Sequence, residues 1–218
     1  MQQTGIRLDK FTFACVLGVC TGWKQGKDIH EHIVRCGIEV MSMYGKRGCV
    51  KDAREVFDKI SERDVVSWNT MIAGYAQNGL SLEVLDIFRE MASAGMKPDV
   101  FSIASVIPAC GQLAALQQGQ EIHGYAIRNG FESNAHVTSA RVAMYPKCGR
   151  INFACHMFDK MPERDLASWS AMIAGFTQAG ESVGALDYFR KMQRVGIEAD
   201  PVALSSVLPA CTHLTALR

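Results

Sequence analysis

The sequence predicts an all-α protein, an α-solenoid assembled from pairs of short helices that repeat along the chain. The strongest observation is a long internal repeat, because Asp64-Val-Val-Ser-Trp-Asn-Thr-Met-Ile-Ala-Gly-Tyr returns as Asp165-Leu-Ala-Ser-Trp-Ser-Ala-Met-Ile-Ala-Gly-Phe, 101 residues later. The same offset relates Ser105-Val-Ile-Pro-Ala-Cys110 to Ser206-Val-Leu-Pro-Ala-Cys211. Self-similarity at a fixed period indicates stacked supersecondary units, each too small to bury its own apolar face.

Two helices are predicted in each unit, because apolar residues recur at helical spacing on both sides of a glycine. In the segment that starts at Val65, the first run ends before Gly79 and the second follows it. The runs are Val66, Met71, Ile72 and Tyr75, then Leu82, Leu85, Ile87, Phe88 and Met91. Short amphipathic helices of this kind are stable only when packed, so each unit must stack on its neighbours.

Recurrent Asp residues, with Asn134 at one boundary, divide most of the chain into units 65–99, 100–134, 135–165 and 166–200, which are 35, 35, 31 and 35 residues long. With these lengths, four motifs resemble a plant pentatricopeptide repeat protein of the PLS subclass. They are Val65-Val-Ser-Trp-Asn-Thr-Met-Ile72, Gly119-Gln-Glu-Ile-His123, Met144-Tyr-Pro-Lys-Cys-Gly149 and Phe158-Asp-Lys-Met-Pro-Glu-Arg164. The resemblance implies a right-handed α-solenoid of helix-turn-helix units.

The resemblance also assigns a type to each unit. Units 65–99 and 166–200 resemble P units, 100–134 an L unit and 135–165 an S unit, while 201–218 begins another L unit. Residues 1–9 match the end of a P unit, followed by a shortened L unit at 10–39 and a truncated S unit at 40–64. The first helix of that S unit keeps only about Glu39–Lys46, and we expect it to be poorly docked because its lost turns carried part of its buried stripe.

The candidate binding residues come from the resemblance, which implies that the fifth and last residues of a unit select one RNA base. The pairs are Asn69 with Asp99, Ser139 with Asp165, and Ser170 with Asp200. The second residue of each unit is implied to sandwich the base, which gives Val66, Phe101, His136 and Ala167. By the family's pairing preferences, Asn with Asp implies uracil and Ser with Asp implies guanine. The chemistry is compatible, because an amide can both donate and accept while a small hydroxyl leaves room for a purine. The competing interpretation is that the aspartates are ordinary helix-flanking residues and that Asn69 and Ser170 are early-turn polar residues.

Other chemistry is not supported by the residue pattern. Cys20, Cys110 and Cys211 share one repeat position and are expected to be small core residues, and the absence of any Cys-x-x-Cys argues against zinc or a redox pair. His30 and His123 also share a position, with His32 nearby, and are expected at a helix interface. Trp68 and Trp169 are expected in the core, and Pro146 is expected to be a tolerated kink. No deaminase, phosphate-loop or nucleophile motif occurs, so the sequence predicts no enzyme, cofactor, metal or small-molecule substrate.

The charge balance leaves two functions open. The net charge of +1 and the absence of a basic stripe favour a protein-interaction solenoid resembling tetratricopeptide arrays, whereas the unit lengths favour RNA. The resemblance implies sequence-selective binding of single-stranded organellar RNA, in C-to-U editing together with organellar editing cofactor proteins, in mitochondrion or chloroplast. A truncated array without independent function is the third alternative. No apolar run approaches the roughly 18 residues of a membrane span, and Met1-Gln-Gln-Thr-Gly has no Arg-rich presequence, which suggests a fragment or an internal start.

Overall fold

The computed structural model describes residues 37–216, and every regular element in that range is an α-helix. The helices are α1 (residues 37–46), α2 (Val50–Asp58), α3 (Val65–Gln77), α4 (Ser81–Ser93), α5 (Val100–Gln112), α6 (Leu116–Arg128), α7 (Ala135–Lys147), α8 (Ile151–Asp159), α9 (Leu166–Gln178), α10 (Ser182–Arg194) and α11 (Pro201–Ala216). Short connections join consecutive helices, which therefore run antiparallel as pairs. The predicted class, an all-α array of helix pairs, is confirmed.

Helix starts coincide with the unit boundaries drawn from the sequence. The first helix of each unit begins at Val65, Val100, Ala135, Leu166 or Pro201. Where a complete unit spans 35 residues, both of its helices have 13 residues, but α8 has only nine. The shorter second helix accounts for the 31-residue length of unit 135–165.

The described residues divide into two compact units, the first comprising 37–80 with Arg89–Lys97 and the second Ser81–Phe88 with 98–216. In the first, α1 packs closely on α3. The backbones are close, since a Cβ added to Gly45 would lie 3.1 Å from Gly74 Cα. Asn78 Nδ2 donates to Gly45 O at 2.8 Å, and the Met41 side chain of α1 is buried. The expectation of poor docking is wrong, because two facing glycines let the backbones touch and a short helix then suffices.

A repeated aromatic cluster closes the turn that leads into α3 and into α9. Trp68 packs edge-on against Phe57 with ring centroids 4.8 Å apart, and Arg63 lies over the Phe57 ring while its Nε donates to Phe57 O. The equivalent residues of the next period, Phe158, Arg164 and Trp169, repeat the arrangement. Both tryptophans are buried, which confirms their core role.

In the second compact unit, α9 packs against α7 through Gly175 and Pro146. A Cβ at Gly175 would lie 2.3 Å from Pro146 Cβ, so the proline ring occupies the space that a side chain would need. Pro146 lies in the last turn of α7, which continues to Lys147. Cys110 is fully buried, as expected, while Cys211 is half-buried.

Some sequence predictions fall outside the described residues. They concern residues 1–9, nearly all of 10–39, and Cys20, His30 and His32. Between residues 37 and 216, no helix combines the length and apolar character needed to cross a membrane.

Candidate functional site

The last residue of each predicted unit caps the helix that opens the next unit. Asp64, Asp99 and Asp165 each accept the backbone N–H of the serine three residues on, at 2.8 Å. Asp200 accepts from Ala203 N in the same way, and Asn134 accepts from the backbone of His136 and Val137. A side-chain oxygen satisfies an N–H that the first helical turn leaves without a partner. The capping role anticipated as the competing interpretation is therefore real for these aspartates.

Two of these aspartates, Asp165 and Asp200, also accept a hydrogen bond from the fifth residue of their own unit. Both pairs lie in the second compact unit. Ser139 Oγ donates to Asp165 Oδ2 at 3.0 Å, and Ser170 Oγ donates to Asp200 Oδ1 at 3.2 Å. In sequence these partners are 26 and 30 residues apart, so the returning second helix brings them together. The structure thus places two of the three predicted pairs in direct contact, as caps and side-chain partners at once.

The two serines differ in accessibility. Ser139 is half-buried, whereas Ser170 is only 4% exposed. Both oxygens of the Asp165 carboxylate are engaged, because Oδ1 accepts from Ser168 N and Oδ2 accepts from the Ser139 hydroxyl. Ser139 has one hydroxyl proton and donates it to Asp165, so towards any further group it can act only as an acceptor.

The third predicted pair has its members in different compact units. Asn69 is half-buried at the start of the second turn of α3 and already engages a neighbouring group. Asp99 caps α5 in a reciprocal capping box with Ser102. Asn69 therefore occupies an early helical turn, and Asp99 acts as an N-cap.

The second residue of each first helix is exposed despite its frequent apolar character. Phe101 is 70% exposed and Val66 55% exposed, and His136 and Ala167 are exposed as well. Each precedes the fifth residue by three positions, so both lie on one face of the helix. An exposed ring or aliphatic side chain beside a polar group provides a flat contact and a hydrogen bond on the same face.

Charge is distributed very unevenly between first and second helices. The first helices α3, α5, α9 and α11 contain no Asp, Glu, Lys or Arg, and α7 contains only Arg141 and Lys147. Among the charged side chains that lie within helices, most are on second helices such as α4 and α10. The net charge of the whole chain therefore says little about the face formed by the first helices.

His123 bridges α6 and α7, as the expected interface histidine. Its Nε2 lies 2.6 Å from Arg141 Nη1 and its Nδ1 lies 2.7 Å from the Tyr145 hydroxyl. Because a guanidinium can only donate, Nε2 accepts and Nδ1 carries the proton. Burial, followed by the charge of Arg141, lowers the pKa of His123 to about 4. Within residues 37–216, no group of three or more His, Cys, Asp or Glu side chains is placed to hold a metal ion.

Sequence reasoning missed Arg141, which is 6% exposed. The signal was present, because the same position of the other units holds an apolar residue. The equivalents are Met71, Val106, Met172 and Val207. A charged residue in that column indicates a polar interaction that the helical pattern alone does not reveal.

Comparisons with known proteins bear on both the fold and the repeats. A family model described as PPR repeat family matches residues 63–112, and a second model, described as PPR repeat, matches residues 40–65 and 167–197. Among similar proteins, one pentatricopeptide repeat-containing protein of Arabidopsis thaliana is 40% identical over 98% of this chain and 32% of its own length. Another, the chloroplastic protein CRR2 of the same plant, is 39% identical over 98% of this chain and 35% of its own length. The chain thus spans about a third of the length of these relatives.

A solved structure shares the fold. The pentatricopeptide repeat protein PPR10 from maize, crystallised with an 18-nt psaJ RNA element, superposes with a TM-score of 0.59 at 15% identity. The match covers 98% of this chain and 39% of that chain.

Proposed function

The chain is a pentatricopeptide repeat protein, and from this premise we propose that its first helices bind single-stranded RNA and select bases unit by unit. The observation that carries the proposal is the hydroxyl–carboxylate contact at Ser139–Asp165 and Ser170–Asp200. In each unit, the exposed second residue lies one turn before the fifth residue. At unit 135–165, where the fifth residue is accessible, a base stacked on the second residue would have its edge at Ser139.

The proton arrangement supports guanine at unit 135–165. Since Ser139 gives its proton to Asp165, its hydroxyl oxygen offers lone pairs to an incoming base. Guanine presents N–H donors on its Watson–Crick edge, whereas the uracil edge combines one donor with two acceptors. An amide at Asn69 can serve both functions, which supports uracil at unit 65–99. The strand expected to fit is 5′-U-N-G-G-3′ over units 65–200.

The charge distribution supports selective rather than tight binding. Because the first helices have almost no charged residues, phosphate attraction is weak and edge contacts make up a larger share of the affinity. The repeats bind and do not catalyse. Any chemistry on a bound transcript would come from another protein or another domain.

The finer proposal is that the array is of the PLS subclass and directs C-to-U editing of organellar RNA with organellar editing cofactor proteins. The 35, 35 and 31-residue units support the subclass. Relatives named chloroplastic support an organelle, chloroplast or mitochondrion. PPR10, crystallised with an RNA element, supports RNA as the ligand.

The test replaces Asn69 by serine, which gives unit 65–99 the same reading pair as unit 166–200. Fluorescence anisotropy at fixed salt would measure binding of the full chain to cytidine strands that carry U-A-G-G or G-A-G-G. We expect the preference to move from U towards G by about 1–3 kcal/mol, the range of good base-edge contacts in duplex recognition. Asn152→Ser, an exposed change on the second helix α8, is the matched control and should leave the ranking unchanged.

Two results would contradict the proposal. If wild type and Asn69→Ser rank the bases identically, Asn69 is an early-turn residue without a reading role. If wild type binds none of the strands, the protein-interaction solenoid becomes the better interpretation, supported by the near-neutral charge.

A further inference from the structure

Arg141 places a guanidinium at a position where the other described units have core residues. It is the seventh residue of its unit and only 6% exposed. Its equivalents, all at most 5% exposed, are Met71, Val106, Met172 and Val207. A long cation thus replaces a small or flexible apolar side chain at one junction of the array.

The charge of Arg141 is incompletely compensated. Nη1 donates to the neutral His123 ring, while Nη2 donates to Glu132 O and, at 3.4 Å, to Thr138 Oγ1. No carboxylate lies within 4.0 Å of the guanidinium among the described ion pairs, and the buried Nε has no hydrogen-bond partner. Burial lowers the pKa of Arg141, although the more distant charges of Glu132 and Tyr145 act in the opposite direction. Burying such a charge costs stability.

Apolar residues occupy the positions equivalent to both members of the Arg141–His123 contact in the other described units. The residue that meets Arg141 is His123, the twenty-fourth of its unit. At that position the other described second helices carry Phe57, Phe88, Phe158 and Phe189. Well-packed apolar replacements of buried polar groups are often neutral or stabilising, so packing alone does not explain Arg141.

The location of Arg141 suggests what the charge does. It belongs to α7, whose opposite face carries His136 and Ser139, and a helix is only about 10 Å across. Apart from Lys147, it is the one Lys or Arg in the described first helices of units 65–99 to 166–200. We propose that Arg141 provides long-range attraction for RNA phosphates over unit 135–165, a role that rests on the proposed function of the array.

The test is the double variant Arg141→Met with His123→Phe, which installs the apolar pair used elsewhere. It should fold with equal or greater stability but bind the U-A-G-G strand about two- to tenfold more weakly at low salt, as expected for loss of a unit charge about 10 Å from phosphate. The difference should shrink as salt is added. The ratio of affinities for guanine and adenine opposite unit 135–165 should not change, because Arg141 reaches no base edge.

Two controls separate charge from packing and from net charge. Arg141→Lys keeps a cation that burial can neutralise, so its affinity should approach that of wild type as the pH is lowered towards 6 and fall towards that of the double variant as the pH is raised. Arg128→Met removes one exposed positive charge from the second helix α6 and should have a smaller effect than the double variant.

Each adverse outcome is distinguishable. Wild-type affinity in a folded double variant would overturn the role of Arg141 while leaving the proposed function intact. So would a loss in Arg141→Lys equal to that of the double variant at every pH tested, or a loss in Arg128→Met as large. Failure of wild type to bind the strand would overturn both proposals.

Discussion

Replacing Gly175 by alanine should destabilise the packing of α9 on α7 by about 2 kcal/mol. The added Cβ would lie 2.3 Å from Pro146 Cβ, 2.9 Å from Pro146 Cγ and 3.2 Å from Ile151 Cδ1. A proline ring has no rotamer that moves it aside, so the backbones must separate, and overpacking of this kind costs about 1–3 kcal/mol. The better helix propensity of alanine returns up to about 1 kcal/mol, so we take the upper end of the overpacking range.

Gly119→Ala is the matched substitution. Its Cβ would meet Met144 Sδ at the same 2.3 Å and Met144 Cε at 3.0 Å, but a thioether side chain can rotate away. We expect a change near zero, because the rotamer cost of about 0.5–1.5 kcal/mol offsets the gain in helix propensity.

Thermal unfolding followed by circular dichroism would compare the two variants, with hydrogen exchange in α7 and α9 as the local measure. For a chain of this size, 1 kcal/mol corresponds to roughly 2–4 °C in Tm. Helical arrays can unfold unit by unit, so local exchange is the more direct reading of the α7–α9 contact. Equal stability of the two variants would refute the argument that the rigidity of the obstacle decides the cost.

Two further predictions concern titration and thiol reactivity. Because the folded pKa of His123 is lowered to about 4, its contribution to stability should be complete above the unfolded pKa near 6.5 and decline as pH falls towards 4. The urea midpoints of wild type and His123→Gln should therefore differ least at acidic pH. A difference between the two midpoints that does not change with pH would contradict the assignment. An alkylating reagent should modify exposed Cys49 well before Cys110, which is fully buried, and before Cys148, whose thiol pKa is raised by burial. Peptide mapping would measure the order of labelling, and rapid labelling of Cys110 would indicate that α5 opens readily.

The helix starts could be predicted from short local sequence patterns, whereas contacts between separate helices could not, because no local pattern encodes them. An aspartate followed three residues later by serine marks the start of α3, α5 and α9, because both groups bond within one turn. The docking of α1 depends on Gly45 meeting Gly74, residues on separate helices whose proximity no local pattern encodes.

The candidate site was partly predictable for the same reason. Family resemblance pointed to Ser139 and Asp165, but the burial of Ser170 depends on packing around α9 and could not be inferred from its helical position. Arg141 was overlooked because a single cation within a helical run ordinarily faces solvent. Comparing residues column by column across units would have revealed it.

The double duty of the aspartate that ends each unit restricts how such an array can be reprogrammed. Asp165 holds the first turn of α9 and the Ser139 hydroxyl at once. Exchanging it for a residue without a capping oxygen would cost about 1 kcal/mol at the next helix, whatever it did for a ligand. Few residue types can therefore occupy this position, essentially Asp, Asn, Ser and Thr, whereas the fifth residue of a unit caps no helix and is not restricted in this way. New specificities should be easier to reach by mutating inside a helix than at the joint between two units.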